Sequence, residues 1–241
     1  PTLSTEEKLR LYTEVKEAVG NRATIVAGTG SYDTRESIHL SQEAQARGVD
    51  ALLLVVPYYN RPTAEGLYRH YLAIAESTTL PIIVYNVPGR TGCNIDVDTM
   101  CRIAEIPNVV GVKEASGNMA QMCEFCRVAP DGFHVLAGDD IFTLPLISVG
   151  GVGVISVISN EVPDEMSHLV SAALSGDFET ARRFHTRLLP LMQINFVGES
   201  QASVQGYIEY LVGDGDIDGD GDIDVAATCL LKSCNKPSLF G

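Results

Sequence analysis

Lys113 occupies an unusual place for a charged residue, at the end of the β-branched run in "NVVGVKEASG" (108–117). An ammonium group in such surroundings is costly unless it is paired or used chemically. Partial burial favours the neutral amine, and a neutral amine attacks a carbonyl carbon to form a Schiff base. The sequence therefore predicts a covalent amine nucleophile at Lys113. The alternative is a strand-end lysine whose ammonium group extends into solvent.

Two further side chains supply what imine chemistry requires. Tyr85 ends the preceding apolar run in "IIVYNVPGR" (82–90), and its phenol can both donate and accept a proton. Arg90 lies in the Gly/Pro-rich loop after the same run, where a guanidinium suits bidentate capture of a carboxylate. The competing interpretations are a core tyrosine and a surface arginine.

The elements that must position these residues are apolar, β-rich runs separated by amphipathic helical patterns, as in repeated βα units. Most of the runs are continuous Val/Ile/Leu stretches, which is typical of parallel strands covered on both faces. A capping box formed by Ser4 and Glu7 predicts that the first element is a helix. The six predicted strands are 23–30, 51–59, 81–87, 109–115, 134–140 and 151–157.

Two architectures fit six βα units, namely a (β/α)8 barrel short of two strands and an open doubly wound sheet. Polar or reactive side chains end nearly every strand: Tyr59, Tyr85, Lys113, and Asp139 with Asp140. A barrel collects functional groups from many strands at one mouth, whereas an open sheet concentrates them at one switch point. The sequence therefore predicts a TIM barrel of class α/β.

Composition restricts the partners. The chain has 241 residues and a formal net charge of −14, which argues against nucleic acid and against an anionic membrane surface. The longest uncharged run, 141–160, is interrupted by proline and glycines and is interpreted as a helix followed by a buried strand. With no signal-peptide pattern and no disulfide framework, we predict a cytoplasmic protein.

Five motifs carry a family resemblance: "PYYNRPTAEG", "YNVPGRTG", "GVKEASGN", "GDD" and "GVISV". In this order and spacing they resemble the dihydrodipicolinate synthase family over about residues 1 to 197. Members of that family are (β/α)8 class I aldolases that condense pyruvate with L-aspartate 4-semialdehyde in lysine and diaminopimelate biosynthesis. The resemblance implies that the chain is such a lyase and that its only covalent chemistry is the imine, without a cofactor.

The resemblance also implies roles for individual residues. Lys113 would form the imine with pyruvate, Tyr85 would relay protons, and Arg90 would hold the carboxylate of the semialdehyde. Arg90 also favours this family over sialic-acid lyase-like pyruvate lyases, which remain the alternative. Tyr59 matches a tyrosine that reaches a partner's site, which implies a dimer or tetramer. Gly138 and Ile155 match positions whose backbone lines the pyruvate pocket.

The chain also departs from the family pattern. The leading strand, helix and strand of the family, which end in Thr-Thr-Gly-Glu-Ser, are not in this sequence, so we expect an N-terminally truncated barrel of about six strands. Missing strands expose apolar neighbours at roughly 1.5–3 kcal/mol per large side chain. We therefore expect this chain to aggregate or to bind a partner, with little turnover.

A change in composition predicts two regions, a barrel over 1–211 and an acidic tail over 212–241. Four aspartates in the tail occupy positions 1, 3, 5 and 9 of a calcium loop: Asp216, Asp218, Asp220 and Asp224. Position 12, usually an acid, is Ala227, and the stretch resembles FG-GAP or dockerin loops. Ca2+ binding and a solvated acidic turn both remain open. A third hypothesis is a calcium-dependent interaction module that carries a degenerate barrel.

Overall fold

A computed structural model of the chain describes residues 3–196, which lie within the predicted barrel region; the predicted boundary near 212 and the tail lie outside them. The strands are β1 (Val26–Gly28), β2 (Ala51–Val55), β3 (Ile82–Asn86), β4 (Val109–Glu114), β5 (His134–Ala137) and β6 (Gly153–Val154). The helices are α1 (Thr5–Val19), α2 (Thr34–Ala46), α3 (Ala64–Ala75), α4 (Pro88–Thr91), α5 (Val97–Ala104), α6 (Met119–Val128), α7 (Thr143–Ser148), α8 (Pro163–Leu174) and α9 (Phe178–Ile194). Short 3-10 turns cover Asp140–Phe142 and Ile158–Asn160.

All six strands form one parallel sheet in which each pairs with its neighbour in the chain, in the order β1-β2-β3-β4-β5-β6. This order is that of consecutive staves of a barrel, because each βα unit returns the chain beside the strand it has just left. Within residues 3–196, β1 and β6 each pair on one side only. The six predicted strands are therefore all present, although each is shorter than the apolar run that encodes it.

The central strands β2, β3 and β4 are buried on both faces. Consecutive residues are buried in β2 and β3, including Leu52, Ile82 and Ile83, so helices cover one face and inward-pointing side chains fill the other. Burial of each large apolar side chain contributes about 1.5–3 kcal/mol, which makes this sheet the main source of stability. The strands thus supply a rigid frame for whatever follows their carboxyl ends.

Most of the long helices begin at a side chain that caps the first turn. Asp33, Thr63, Asp96 and Asn118 each accept a hydrogen bond from a backbone amide within the first turn of the helix that follows. These caps lie in the loops that leave the carboxyl ends of the strands, except for Asp96, which follows α4. They end each loop at a defined residue, and so they fix the loops that surround the mouth of the barrel.

Helix α1 begins where the sequence predicts but buries little of its apolar surface. The capping box of Ser4 and Glu7 is present, and the Tyr12 hydroxyl donates to the carbonyl oxygen of Gly28 at 2.7 Å. No residue of α1 is buried, however, and Leu11 and Val15 are each 39% exposed. The helix packs on α2 and on one edge of the sheet, and among the described residues no element covers its other side.

The uncharged run 141–160 folds as predicted, as α7 followed by the buried strand β6. No helix within residues 3–196 combines the length and the apolar character that crossing a membrane requires.

Gly111 on β4 lies directly against the backbone of His134, its partner in register on β5. A Cβ at this position would lie 2.5 Å from the backbone oxygen of His134, whereas a Cβ at Gly28 in β1 would meet nothing within 4 Å. We predict that Gly111→Ala lowers the free energy of unfolding by about 1–3 kcal/mol, because backbone must move to admit the methyl group. Urea unfolding followed by circular dichroism measures this. The matched strand control, Gly28→Ala, leaves the midpoint within error, and equal effects would contradict the packing argument.

Candidate active site

Lys113 and Tyr85 meet at the carboxyl end of the sheet. They are paired in register on β4 and β3, and so their side chains point to the same face. The Lys113 Nζ lies 4.3 Å from the centroid of the Tyr85 ring, and Lys113 is only 9% exposed. The negative face of an aromatic ring stabilises positive charge on a nitrogen at this distance. The structure thus joins the predicted nucleophile to the predicted proton carrier.

Gly138 makes room for the lysine. A Cβ at this position, directly after β5, would lie 2.9 Å from Lys113 Cγ, 3.1 Å from Lys113 Cε and 2.8 Å from the Cβ of Ala115. The Gly138 amide donates to the carbonyl oxygen of Glu114 at 2.8 Å, which continues the ladder past the end of the strand. Only a residue without a side chain lets the stem of Lys113 lie against β5.

The Tyr85 phenol is kept protonated. Burial raises its pKa above the ordinary value, the positive charge of Arg90 opposes that rise, and the negative charge of Asp139 adds to it. The direction of the shift means that the phenol is a proton donor throughout the neutral range.

Arg90 is held at the mouth by a tight turn. It lies in α4, which starts directly after β3 and ends at Gly92 in the left-handed conformation, with φ 67°. The Gly92 amide donates to the carbonyl oxygen of Pro88 at 2.8 Å. The guanidinium of Arg61 lies so close to Gly92 that a Cβ there would be 2.7 Å from its Nη2. Arg61 was not singled out from the sequence.

Tyr59 is not brought to Lys113 within this chain. It lies in the loop after β2, is 93% exposed and has a positive φ of 66°. A left-handed conformation is unfavourable for a residue with a bulky side chain and persists only when the surrounding loop imposes it. The side chain is thus presented to solvent in an imposed conformation.

Ile155 follows β6, and its amide donates to the carbonyl oxygen of Ala137 at 2.9 Å. Its backbone N–H is thereby used within the ladder. The next turn is held by Asp140, which is fully buried and whose Oδ2 accepts from the amides of Val157 and Ile158 at 3.0 and 3.1 Å. Burial raises the pKa of the Asp140 carboxyl. This anchoring role was missed from the sequence.

Asn86 and Glu114 are two further buried polar residues that sequence reasoning missed. Each directly follows a site residue, Tyr85 or Lys113, and each is fully buried on the opposite face of its strand. The sequence signal that could have identified them is a polar side chain in the last position of an apolar strand.

The four aspartates of the predicted calcium loop lie outside the described residues. Within residues 3–196 no three or more His, Cys, Asp and Glu side chains are grouped so that they could hold a metal ion.

Comparison with known proteins gives one answer throughout. The model of the dihydrodipicolinate synthetase family matches residues 1–212. A 4-hydroxy-tetrahydrodipicolinate synthase of Moorella thermoacetica is 51% identical over 211 residues, which are 88% of this chain and 72% of the relative. The chain belongs to the dihydrodipicolinate synthetase family.

Solved structures agree with this membership. Dihydrodipicolinate synthase from Aquifex aeolicus has a TM-score of 0.84 at 40% identity, over 88% of this chain and 73% of that one. The chloride-inhibited dihydrodipicolinate synthase from Acinetobacter baumannii, complexed with pyruvate, has a TM-score of 0.83 at 40% identity, over 88% and 72%. The predicted barrel fold and the predicted lyase function of this family are confirmed. The sialic-acid lyase-like and calcium-module alternatives are not favoured.

The contact of Gly138 with Lys113 gives a prediction about reactivity. We expect Gly138→Ala to slow the labelling of Lys113 by pyruvate and borohydride by about 10- to 100-fold, because a misplacement near 1 Å costs a reaction up to about that much. The measurement is the rate of mass increase of the tryptic peptide that contains Lys113. Gly89→Ala is the control, since a Cβ there meets nothing within 4 Å. Equal rates in the two variants would contradict the steric role.

Proposed function

We propose that Lys113 forms an imine with pyruvate and that the derived enamine condenses with L-aspartate 4-semialdehyde to give 4-hydroxy-tetrahydrodipicolinate. The observation that carries the proposal is a buried lysine amine 4.3 Å from the ring of a partly buried tyrosine at the carboxyl end of the sheet. In barrels of this type, reactive groups stand at that end. The pyruvate complex of the Acinetobacter relative supports pyruvate as the first substrate.

In the first half-reaction the neutral amine of Lys113 attacks the carbonyl carbon of pyruvate. A C–N bond forms, the carbonyl oxygen takes up a proton, and the carbinolamine then loses one molecule of water to give the protonated imine. The Tyr85 phenol is protonated at neutral pH, as the raised pKa requires, and so it is able to donate to the leaving oxygen and recover the proton afterwards. Its ring face also stabilises the positive charge on the iminium nitrogen.

In the second half-reaction the iminium withdraws electrons, and the pyruvate methyl group loses a proton to give the enamine. The enamine carbon attacks the aldehyde carbon of the semialdehyde, a C–C bond forms, and the aldehyde oxygen becomes a hydroxyl. The substrate amino group then attacks the imine carbon and closes the ring, and the C–N bond to Lys113 breaks. One water is released overall, at imine formation.

Arg90 is suited to hold the second substrate. Its exposed side chain stands on a tight turn that follows the strand carrying Tyr85, at the same end of the sheet as Lys113. The semialdehyde carries a carboxylate, and guanidinium and carboxylate pair through two parallel hydrogen bonds.

Assembly into a dimer or tetramer is part of the proposal. Tyr59 is almost fully exposed, and its left-handed backbone presents the side chain outward rather than toward its own Lys113. A tyrosine displayed in this way is suited to enter the site of a second copy. The domain boundary near residue 212 is likewise a proposal, supported by the family match over residues 1–212.

Trapping tests the proposed nucleophile. With pyruvate and borohydride, the chain should gain the mass of a reduced pyruvate adduct on Lys113. Lys113→Arg keeps the charge but removes the nucleophile, and should gain none. Tyr85→Phe keeps the ring but loses the proton carrier, and should be slower by about 10²- to 10⁴-fold, the usual contribution of general acid–base catalysis. An adduct located on another lysine, or a labelled Lys113→Arg variant, would refute the assignment.

Arg90 should act on one substrate and not on the other. We expect Arg90→Ala to raise the KM for aspartate semialdehyde about 10- to 100-fold, since hydrogen bonds to a charged group contribute about 1.5–3 kcal/mol. The rate of pyruvate trapping should change little. Steady-state assays with each substrate varied in turn measure this. Arg127→Ala, in the last turn of α6 and paired with Glu124, is the control. Equal losses for both substrates would contradict a role specific to the semialdehyde.

A further inference from the structure

A buried polar pair lies directly behind the two site residues. Asn86 and Glu114 are partners in register, one residue beyond Tyr85 and Lys113 on the same two strands. The Asn86 Nδ2 donates to Glu114 Oε2 at 2.9 Å, and both residues are fully buried. Because successive side chains alternate across a strand, the two pairs stand back to back on opposite faces of the sheet.

The Asn86–Glu114 pair also ties down the loops on both sides. The other carboxylate oxygen of Glu114 accepts from the amide of Ser116 at 2.8 Å, in the loop after β4. The Asn86 Oδ1 accepts from the amide of Ile95 at 3.0 Å, in the segment that follows Arg90. Asn86 further donates to Asn94 at 2.9 Å. All the groups that face the Glu114 carboxylate in these contacts are donors. Glu114 is therefore the acceptor of the pair, and the Asn86 amide bridges Glu114 to the segment that follows Arg90.

The Asn86–Glu114 hydrogen bond can fix the register of β4 against β3. The β3–β4 ladder is irregular at its amino end, where pairing shifts between Ile82 and Ile83, so that end does not fix which residues meet at the mouth. The rest of β4 is apolar and covered on both faces. A slip of one residue would therefore not move apolar side chains from the core into solvent, which is the penalty that fixes register in half-buried strands. A slip of one residue would place Lys113 on the opposite face from Tyr85.

We infer that Asn86 and Glu114 are positioning residues, whose hydrogen bond holds the register in which the Lys113 amine meets the Tyr85 ring. The inference rests on the proposed function, because its consequence is the rate of imine formation. Neither residue touches the reacting atoms. They act from the far side of the sheet, through the backbone that they share with the two site residues.

Exchanging the donor and the acceptor tests the inference. In the unmodified chain one Glu114 oxygen accepts from the Asn86 side-chain amide and the other accepts from the Ser116 backbone amide. Glu114→Gln replaces one of these oxygens with an NH2 group, which then faces one of the two N–H donors without an acceptor. Asn86→Asp brings two carboxylates together.

The double variant Asn86→Asp with Glu114→Gln restores the pair with its polarity reversed, once the exposed amide of Asn94, whose oxygen accepts from Asn86, turns over and donates instead. The reciprocal hydrogen bonds between Asn94 and Gln121 are kept when both amides turn over together. The new carboxylate at position 86 accepts from the new side-chain amide at position 114 and from the backbone of Ile95. The amide oxygen at position 114 then accepts from Ser116.

We expect each single variant to slow pyruvate trapping on Lys113 by about 10- to 100-fold, as a misplacement near 1 Å does. The double variant should recover to within about threefold of the unmodified chain. Asn108→Ala is the matched control. Asn108 donates to three backbone carbonyls just before the opposite end of β4, so its loss should lower the melting temperature without slowing the trapping.

Rates are compared below the melting temperature of each variant, as followed by circular dichroism. Single variants that remain folded and react at the unmodified rate would overturn the inference. So would a double variant that does not regain the rate, whether or not the single variants fold. Trapping on the unmodified chain distinguishes a failure of the proposed function from a failure of the positioning role. If the unmodified chain gives no adduct on Lys113, the proposed function itself is refuted. If the unmodified chain is labelled and the single variants react at the same rate, only the positioning role is refuted.

Discussion

The contact between the Lys113 amine and the Tyr85 ring requires two neighbouring strands to end in one particular register. The Lys113 nitrogen lies 4.3 Å from the centroid of the Tyr85 ring, inside a largely buried site. Burial disfavours positive charge on that nitrogen, while the ring face stabilises it. These opposing effects suit a group that must be a neutral amine when it attacks and a cation once the imine has formed.

The parallel sheet supplies this geometry at little cost because each strand contributes one position to the same mouth. Tyr85 lies near the end of β3, Lys113 lies near the end of β4, and Gly138 follows β5. None of these positions requires an unusual backbone, since each is the natural continuation of a buried strand. The irregular conformations are found farther out, in the loops that carry Arg90 and Tyr59. The proposed nucleophile and proton carrier thus lie on rigid strands, and the residues proposed to contact the second substrate and a partner lie on loops.

Much of this arrangement follows from local sequence patterns. Continuous apolar runs identified all six strands, and the capping box identified the start of α1, because both signals depend on residues close together in the chain. The meeting of Tyr85 and Lys113 followed from their positions at the ends of adjacent strands. Strand length was overestimated, since an apolar run often extends beyond its hydrogen-bonded ladder.

Other features depend on contacts between distant residues, which no local pattern contains. The space that Lys113 needs at Gly138 and the pairing of Asn86 with Glu114 arise only after β3, β4 and β5 have assembled. The exposure of Leu11 depends on what packs against α1 rather than on the periodicity of that helix. The predicted calcium loop lies outside the described residues and stays a prediction.

The loop after β2 contains two non-glycine residues with positive φ, Tyr59 at 66° and Arg61 at 43°. Such conformations cost on the order of 1–3 kcal/mol each, and glycine or asparagine would relieve much of that cost. Directed evolution for heat resistance alone would therefore favour replacements at both positions. A thermostable descendant selected in this way would lose the outward tyrosine, so under the role proposed for Tyr59 its gain in stability would come at the expense of turnover.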